Sequence, residues 1–374
     1  MDRLHIAFFG ATNSGKSTLV NAICGQEVSL VSAVPGTTTD PVRKLAELPG
    51  LGPCVLIDTA GLDDTGILGP ERERRTRAVL DETDVAVLVF VPEVSQASQN
   101  MGRLYQKHPN IAPDVPDFGT LVAQAGIPSV IYNRGDSIED LLKRIAAVAP
   151  HEEEKYLTGS LVKPGDTVVL VMPQDSEAPK GRLILPQVQV IRELLDRGCV
   201  PHCCTPASLP AALASLAALP DLVITDSQVF KAVNEAIPTE CPLTSFSVLL
   251  AGAKGDIHTF VEGARAIDSL KPGSRVLIAE ACTHVPDTED IGRVKIPALL
   301  RKRVPDLQVD IAAGNDFPED LSPYSLIVHC GACVATARLV RSRIRKAHLA
   351  GVPITNYGIC IAHLTGILNR ISLP

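Results

Sequence analysis

The chain has 374 residues, of which 45% are hydrophobic, and a formal net charge of -7. This length predicts about two or three domains, no run is apolar enough to cross a bilayer, and an acidic chain with 3% aromatic residues and no Trp disfavours nucleic-acid binding. The start of the chain enters a strand without a signal-peptide pattern, so its ten cysteines predict reduced thiols and metal ligands in the cytoplasm rather than disulfides.

The first predicted strand, residues 5–9, leads directly into a glycine-rich loop and a helix. Residues 10–17 read G-x-x-x-x-G-K-S, which in this strand–loop–helix context predicts a phosphate-binding loop. The loop amides and the helix N-terminus would cradle phosphates, Lys16 would reach the outer phosphates, and Ser17 would bind Mg²⁺. The predicted nucleotide-binding residues of this loop are Gly10, Asn13, Ser14, Gly15, Lys16, Ser17 and Thr18.

Two polar segments further along complete the pattern of a GTPase. Thr38 lies in the segment 35–40, where its hydroxyl can reach Mg²⁺ and the last phosphate. A strand at residues 54–57 then delivers Asp58, which would hold Mg²⁺ through water, and Gly61, whose amide can turn to the last phosphate. The two segments are typical of switch I and switch II, which order with the last phosphate and relax on hydrolysis. The candidate catalytic residues are Lys16, Thr38, Asp58 and Gly61.

Together these motifs resemble the Era and tRNA-modification class of small GTPases. The resemblance implies that Asn13, with the switch I loop, supports a K⁺ ion that takes the role of an arginine finger. Leu62 follows the D-T-A-G run where Ras-like proteins carry the glutamine that orients water. Slow, potassium-activated hydrolysis of GTP is what the resemblance implies.

The element that reads guanine departs from this pattern. N-K-x-D is expected after a strand that follows residues 85–91, and the nearest match is Asn133 to Asp136, with Arg134 in place of lysine. The distance of this segment from Asp58 favours a guanine-reading role, but the residues after it look like the last GTPase loop and helix. In that case a strand–helix unit is missing and residues 92–124 are an irregular replacement. N-x-G-D is also good turn chemistry, so a plain turn is a further interpretation.

A second α/β domain is predicted at residues 160–268. A K-P-G turn leads into a strand, and apolar strands then alternate with helical stretches, the last of them at 257–270. A similar K-P-G turn at 271–273 opens a third domain, 271–374, but the sequence suggests no repeat beyond this echo.

The third domain carries a C-x-H pattern that begins at Cys282 and an H-C-x-x-C pattern at residues 329–333. Each follows a short apolar run that reads as a buried parallel strand. Cys282, Cys330 and Cys333 would therefore meet at the carboxyl edge of a sheet, where open α/β sheets bind ligands. A helix predicted at 335–348 would direct its positive end toward the sulfurs.

Three cysteines are one ligand short of a tetrahedral zinc site or a four-cysteine cluster. Either His284 or His329 completes the shell, or one metal stays open to exchange. A third interpretation is that these are buried structural cysteines, because Cys is common in protein cores.

The order of the three domains resembles the family of FeFe-hydrogenase maturation GTPases over nearly the full length. The resemblance implies a cytoplasmic homodimer, paired through the middle domain, whose three cysteines bind a 4Fe-4S cluster with an exchangeable fourth site. His284 and His329 would tune or transiently fill that site. The family is a scaffold that receives a two-iron precursor from two radical-SAM enzymes and delivers it to apo-hydrogenase, while GTP hydrolysis gates partner exchange.

Two other functions stay open. An iron-sulfur enzyme with an open iron as Lewis acid would convert a small molecule without partner proteins. An RNA-modification GTPase would bind RNA in a salt-sensitive way, which the acidic chain disfavours. The predicted fold class is α/β: a P-loop GTPase-like domain at residues 1–150, followed by two smaller Rossmann-like domains with parallel sheets.

Overall fold

The structure is a computed structural model, and it describes residues 3–25, 41–61, 69–90, 118–150, 156–174, 181–281 and 290–374. The chain divides into two compact units, Met1–Glu152 and Glu153–Pro374. In these described ranges, no helix combines the length and the apolar character needed to span a membrane.

The first unit is a five-stranded sheet flanked by helices. Its elements are β1 (Leu4–Phe9), α1 (Lys16–Ile23), β2 (Val42–Leu48), β3 (Gly52–Asp58), α2 (Gly69–Leu80), β4 (Val85–Phe90), α3 (Phe118–Gln124), β5 (Ser129–Asn133) and α4 (Ile138–Val148). The strands lie in the order β2-β3-β1-β4-β5, and every neighbouring pair is parallel except β2 with β3. The central strands β1 and β4 are almost entirely apolar and buried, as expected for parallel strands covered on both faces.

Part of the region predicted to be irregular is helical. Residues 118–124 form α3, which packs Leu121 and Val122 against the sheet, so the prediction for residues 92–124 is wrong there. Residues 91–117 lie outside the described ranges. The strand β5 pairs directly with β4, which places the Asn133–Asp136 turn at the same carboxyl edge as the loop after β1.

The second unit contains two four-stranded sheets. The elements of the first are β6 (Thr167–Val171), α5 (Leu185–Asp196), β7 (Val200–Cys204), α6 (Leu209–Ala214), β8 (Leu222–Thr225), α7 (Phe230–Ala236), β9 (Leu243–Ser245) and α8 (Phe246–Lys254). Those of the second are α9 (Ile257–Arg265), β10 (Arg275–Glu280), α10 (Ile296–Arg303), β11 (Gln308–Ala313), β12 (Leu326–His329), α11 (Ala337–Leu349), β13 (Ile354–Asn356) and α12 (Tyr357–Leu364). All strand pairs in both sheets are parallel, which confirms the predicted fold class.

The two sheets repeat one topology, which the sequence interpretation missed beyond the K-P-G turns. Their orders, β7-β6-β8-β9 and β11-β10-β12-β13, both place the first strand between the second and the third. Each fourth strand runs straight into a helix, with related sequences P-L-T-S-F at 242–246 and P-I-T-N-Y at 353–357. Ser245 and Asn356 cap these helices by accepting amide hydrogen bonds, and α8 packs against α12.

Helix α9 packs on the second of these sheets, although the predicted middle domain included it. Thr355 Oγ1 donates to the carbonyl of Phe260 at 2.8 Å. A Cβ on Gly263 would lie 1.9 Å from the carbonyl oxygen of Ile354, so the helix and β13 are in direct backbone contact. The second unit is further interlocked because Ile371 near the C-terminus bridges to Leu243 of β9.

Candidate functional site

The loop between β1 and α1 has the backbone conformation that its sequence requires. A Cβ on Gly10 would lie 2.5 Å from the carbonyl oxygen of Val89 and 2.9 Å from Ser14 Oγ, so only glycine fits there. Gly15 and Asn13 have φ values of 94° and 62°, in the left-handed region that Gly and Asn tolerate best. The loop thereby turns the N-terminus of α1 toward the sheet edge, where it can receive an anion.

Lys16 is buried and its side chain crosses this loop. Its Nζ donates to the carbonyl oxygens of Gly10 at 2.9 Å and Ala11 at 2.7 Å, with Ser14 Oγ at 3.5 Å. The ammonium lies over the loop where a phosphate would bind. Phosphate oxygens would then replace these carbonyl oxygens as its hydrogen-bond acceptors.

Ser17 and Asp58 form the polar pair expected of a Mg²⁺ site. Ser17 Oγ donates to Asp58 Oδ2 at 2.5 Å. Burial raises the pKa of the Asp58 carboxyl, against the opposing effects of the Ser17 hydrogen bond and the charges of Lys16 and Lys44. Its other oxygen, Oδ1, is buried and accepts no hydrogen bond from the part of the chain that the structure describes. Oxygen ligands of this kind suit Mg²⁺, so the two residues fit the ion.

The remaining predicted residues of the first unit are only partly placed. Thr18 is exposed on α1, and Gly61 is half-buried, three residues after Asp58. Thr59, which follows Asp58, anchors the end of β3 because its Oγ1 donates to the carbonyl oxygen of Phe8 at 2.7 Å. Thr38 and Leu62 lie outside the described residues.

The contacts of Asn133 and Asp136 are those of a tight turn. Asp136 Oδ2 accepts the amide of Asn133 at 2.9 Å, and the amide of Asp136 donates to the carbonyl oxygen of Asn133 at the same distance. The Asp136 carboxylate also lies 3.6 Å from the Arg144 guanidinium. Guanine reading by the pair stays a prediction.

In the second unit, Cys330 lies where the strand order reverses. β10 and β12 are parallel neighbours, and β11 and β13 lie on opposite sides of them. The crevice at the carboxyl ends of such strands is the usual ligand site of an open α/β sheet. Cys330 follows β12 directly, and its amide donates to the carbonyl oxygen of Ala279 on β10 at 2.9 Å.

The Cys330 sulfur is surrounded by backbone donors. The amide of Ala281, the residue before Cys282, lies 3.1 Å from Cys330 Sγ, and the amide of Ala332 lies 3.4 Å from it. Such N–H···S bonds stabilise a thiolate and tune a bound cluster. A Cβ on Gly331 would lie 3.8 Å from the sulfur of Cys333, an ordinary contact distance, so Gly331 adjoins that sulfur.

Two thiols on one short loop, one of them supplied with backbone donors, fit an iron-sulfur cluster or zinc. Cys282 and His284 lie outside the described residues, and within the described ranges no group of three or more His, Cys, Asp or Glu side chains is close enough to hold a metal.

His329, a predicted fourth ligand, is fully buried with both ring nitrogens engaged. Arg343 donates from a terminal nitrogen to His329 Nε2 at 3.1 Å, which leaves Nδ1 to carry the proton and donate to the carbonyl oxygen of Cys330 at 2.7 Å. Burial, with the charge of Arg343, lowers the pKa of His329 to about 3. This arrangement argues against His329 as the fourth ligand, because no lone pair is directed at the crevice.

Comparison with known proteins identifies the second unit. The model of the hydrogen maturase F dimerization domain matches residues 157–255, and that of the hydrogen maturase F tetramerization domain matches residues 258–374. The chain belongs to the hydrogen maturase F family. A model named 50S ribosome-binding GTPase matches residues 5–113, so this HydF-family chain combines a P-loop GTPase domain with the two family-specific domains.

The curated relatives of this HydF-family chain match only part of it. The tRNA modification GTPase MnmE of Methylobacterium sp. (strain 4-46) is 32% identical over 166 residues, which is 44% of this chain and 35% of that protein. MnmE of Myxococcus xanthus is 46% identical over 93 residues, 25% of this chain and 21% of that protein. The chain thus spans about a third or less of these relatives. Era of Aquifex aeolicus bound to GDP and aluminium fluoride aligns at 19% identity and TM-score 0.28, covering 57% of this chain and 98% of Era.

Three polar residues of this HydF-family site were missed by sequence reasoning. Asn356 Nδ2 donates to the carbonyl oxygen of Cys330 at 3.4 Å, and the buried Arg343 and Lys254 hold the same region through carbonyl oxygens. The repeated P-x-T-[SN] sequence was a signal for Asn356, and a lysine that ends an apolar helix was one for Lys254. Arg343 lies in a basic helix of ordinary appearance, so no signal marked it.

Proposed function

We propose that this protein is a scaffold and carrier in FeFe-hydrogenase maturation, with a 4Fe-4S cluster on Cys282, Cys330 and Cys333 and one exchangeable iron site. The observation that carries the proposal is the 3.1 Å contact between the amide of Ala281 and Cys330 Sγ. It means that the backbone just before Cys282 adjoins the sulfur of Cys330, as a shared metal site requires. Membership in the hydrogen maturase F family supports the hydrogenase context.

Among the residues that the structure describes, His329 does not offer a fourth ligand, which supports an exchangeable fourth position. The two ring nitrogens of His329 are engaged by Arg343 and by the carbonyl oxygen of Cys330. When bound, the cluster would supply an iron with an exchangeable position, to which the two-iron precursor can attach and from which it can leave. The precursor would come from two radical-SAM enzymes and go to apo-hydrogenase.

The first unit would hydrolyse GTP to gate partner exchange. Lys16 and the loop amides would bind the phosphates, and Ser17 and Asp58 would hold Mg²⁺, together with Thr38. Hydrolysis would be slow, with K⁺ near Asn13 as its activator. The loss of the last phosphate would release the switch segments and change a docking surface.

Self-association would use the middle sheet, which is the one formed by β6 to β9. β7 is its edge strand, and the exposed apolar side chains beside it come from one stripe of α5 and from β7 itself. These residues are Leu185, Val188, Leu195 and Val200, exposed by 43 to 50%. We propose that a second copy of the chain covers them, in line with the dimerization model that matches residues 157–255.

Anaerobic iron-sulfur reconstitution with EPR of the reduced protein tests the site. The wild type should give a 4Fe-4S signal that added imidazole or cyanide perturbs, and Cys330→Ala should lose it. Cys203→Ala is the matched control, because Cys203 is exposed on β7 and should not matter. A stoichiometric zinc site without iron, or a signal unchanged in Cys330→Ala, would refute the proposal.

Activation of apo-hydrogenase by the precursor-loaded protein then separates the carrier from its rivals. A carrier activates it in one transfer per loaded chain. Turnover of a small molecule without partners would favour a Lewis-acid iron enzyme, and tight, salt-sensitive RNA binding would favour an RNA-modification GTPase.

A further inference from the structure

Lys254 is a lysine in a position where lysines are rare. It ends α8 and is only 4% exposed. Its Nζ donates to three carbonyl oxygens in the loop after β12, those of Ala332 at 2.9 Å, Cys333 at 3.3 Å and Ala335 at 2.7 Å. A buried ammonium is tolerated only where hydrogen bonds replace its water, and three carbonyls match its three donors.

One face of α8 lies against the cysteine loop. Ser247, Leu250 and Lys254 follow the spacing of a single helix face. A Cβ on Gly331 would lie 3.5 Å from Leu250 Cδ1 and 3.7 Å from Ser247 Oγ, and Ser247 Oγ donates to Asn356 Oδ1 at 2.8 Å. A helix that follows the middle sheet therefore forms a wall of the site on the third sheet, which is the one formed by β10 to β13.

The turn that Lys254 holds is a strained one. Ala332 has a φ of 53°, in the left-handed region that an alanine seldom adopts. This residue lies between Cys330 and Cys333, so its backbone determines how the two sulfurs are spaced. The ammonium bonds to the carbonyl oxygens of Ala332 and Cys333, which belong to the two peptide groups that flank Cys333, and it therefore opposes relaxation of the turn.

We propose that Lys254 is a positioning residue for the iron-sulfur cluster, and that it couples the middle sheet to cluster binding. The ammonium fixes the turn that carries Cys330 and Cys333 and places a positive charge beside anionic thiolates, which favours the more negative, reduced state of the cluster. The inference rests on the proposed cluster site. It adds that the third sheet does not hold the cluster by its own residues alone.

The test compares Lys254→Met, Lys254→Gln and Lys231→Met in the full chain after anaerobic reconstitution. Lys231 is an exposed lysine on α7, paired with Glu235, and serves as the control. Both Lys254 variants should lose iron to a chelator at least about tenfold faster than wild type, as is usual when a residue that orients metal ligands is removed. At a fixed solution potential, EPR should show a ratio of reduced to oxidised cluster about tenfold lower in the variants than in the wild type. This corresponds to a reduction potential lower by about 59 mV for a one-electron couple.

Each outcome is decisive. Wild-type iron retention and redox ratio in Lys254→Met overturn the inference, while a normal cluster in the wild type leaves the proposed function standing. A wild type that binds no cluster overturns both. If circular dichroism shows that Lys254→Met is unfolded, Lys254→Gln decides, because it keeps a donor but not the charge: a lower redox ratio supports the inference and an unchanged one overturns it.

Discussion

Replacement of Gly263 by alanine tests the packing that places α9 on the third sheet. The added Cβ would lie 1.9 Å from the carbonyl oxygen of Ile354 and 2.5 Å from its carbonyl carbon, whereas ordinary contact begins at 3.4 Å. The helix and β13 would have to separate by about 1.5 Å, because both atoms belong to a strand backbone that cannot turn aside.

The magnitude follows from two opposing effects. Overpacking costs roughly 1–3 kcal/mol, and a backbone contact this close is expected at the upper end of that range. Alanine gains about 1 kcal/mol of helix propensity over glycine. We therefore expect Gly263→Ala to lower the free energy of unfolding by about 2 kcal/mol in a urea titration followed by circular dichroism.

The neighbouring exposed residue provides the control. Glu262→Ala changes the same helix on its solvent side and should stay within about 0.5 kcal/mol of wild type. Because β13 pairs with β12, which precedes Cys330, reconstituted Gly263→Ala should also retain less iron. If Gly263→Ala proves as stable as Glu262→Ala, α9 does not pack on β13 as described.

Three further predictions concern both units. Gly10→Ala should weaken binding of a fluorescent GTP analogue by about tenfold or more, since its Cβ meets a carbonyl of β4, and unchanged affinity in an equilibrium titration would contradict the loop geometry. Removal of Mg²⁺ by EDTA should weaken nucleotide binding by the wild type but should change binding by Asp58→Asn little, because Asp58 is a predicted Mg²⁺ residue. In EDTA at neutral pH, Asp58→Asn should also have a higher melting temperature than the wild type. The folded-state pKa of Asp58 is raised, so its ionised form opposes folding, and this advantage of Asn should shrink as the pH falls through that pKa. Glu193→Ala should lower the free energy of unfolding, measured in thermal melts, by about 2 kcal/mol, because Glu193 accepts three hydrogen bonds from Thr158 and the amide of Leu157. In the same melts Arg192→Ala, on the exposed side of the helix, should be nearly neutral.

The motifs that carry local chemistry were readable in the sequence. G-x-x-x-x-G-K-S predicts its own backbone because Gly10, Asn13 and Gly15 are the residue types that such a loop tolerates, and the structure has the predicted strand, loop and helix. The two apolar runs before Cys282 and Cys330 likewise predict β10 and β12, since a continuous apolar run of this length is typical of a buried parallel strand.

Contacts between distant segments required the fold. The repeat of the two small sheets is carried by strand order, which short related sequences do not reveal. The role of Lys254 depends on α8 packing against a loop about eighty residues further along the chain. His329 illustrates the same limit: its sequence neighbours predicted a metal ligand, but the buried Arg343 takes its free lone pair.

The sequence by itself therefore determined the GTPase loop, the α/β class and the two strands that precede Cys282 and Cys330, because these depend on residue type and local spacing. Only the tertiary structure decided which strands adjoin, which helix borders the cysteine loop and how the two nitrogens of His329 are occupied. Those properties arise from the burial of polar groups between segments far apart in the chain, where each donor must find an acceptor that no local pattern specifies.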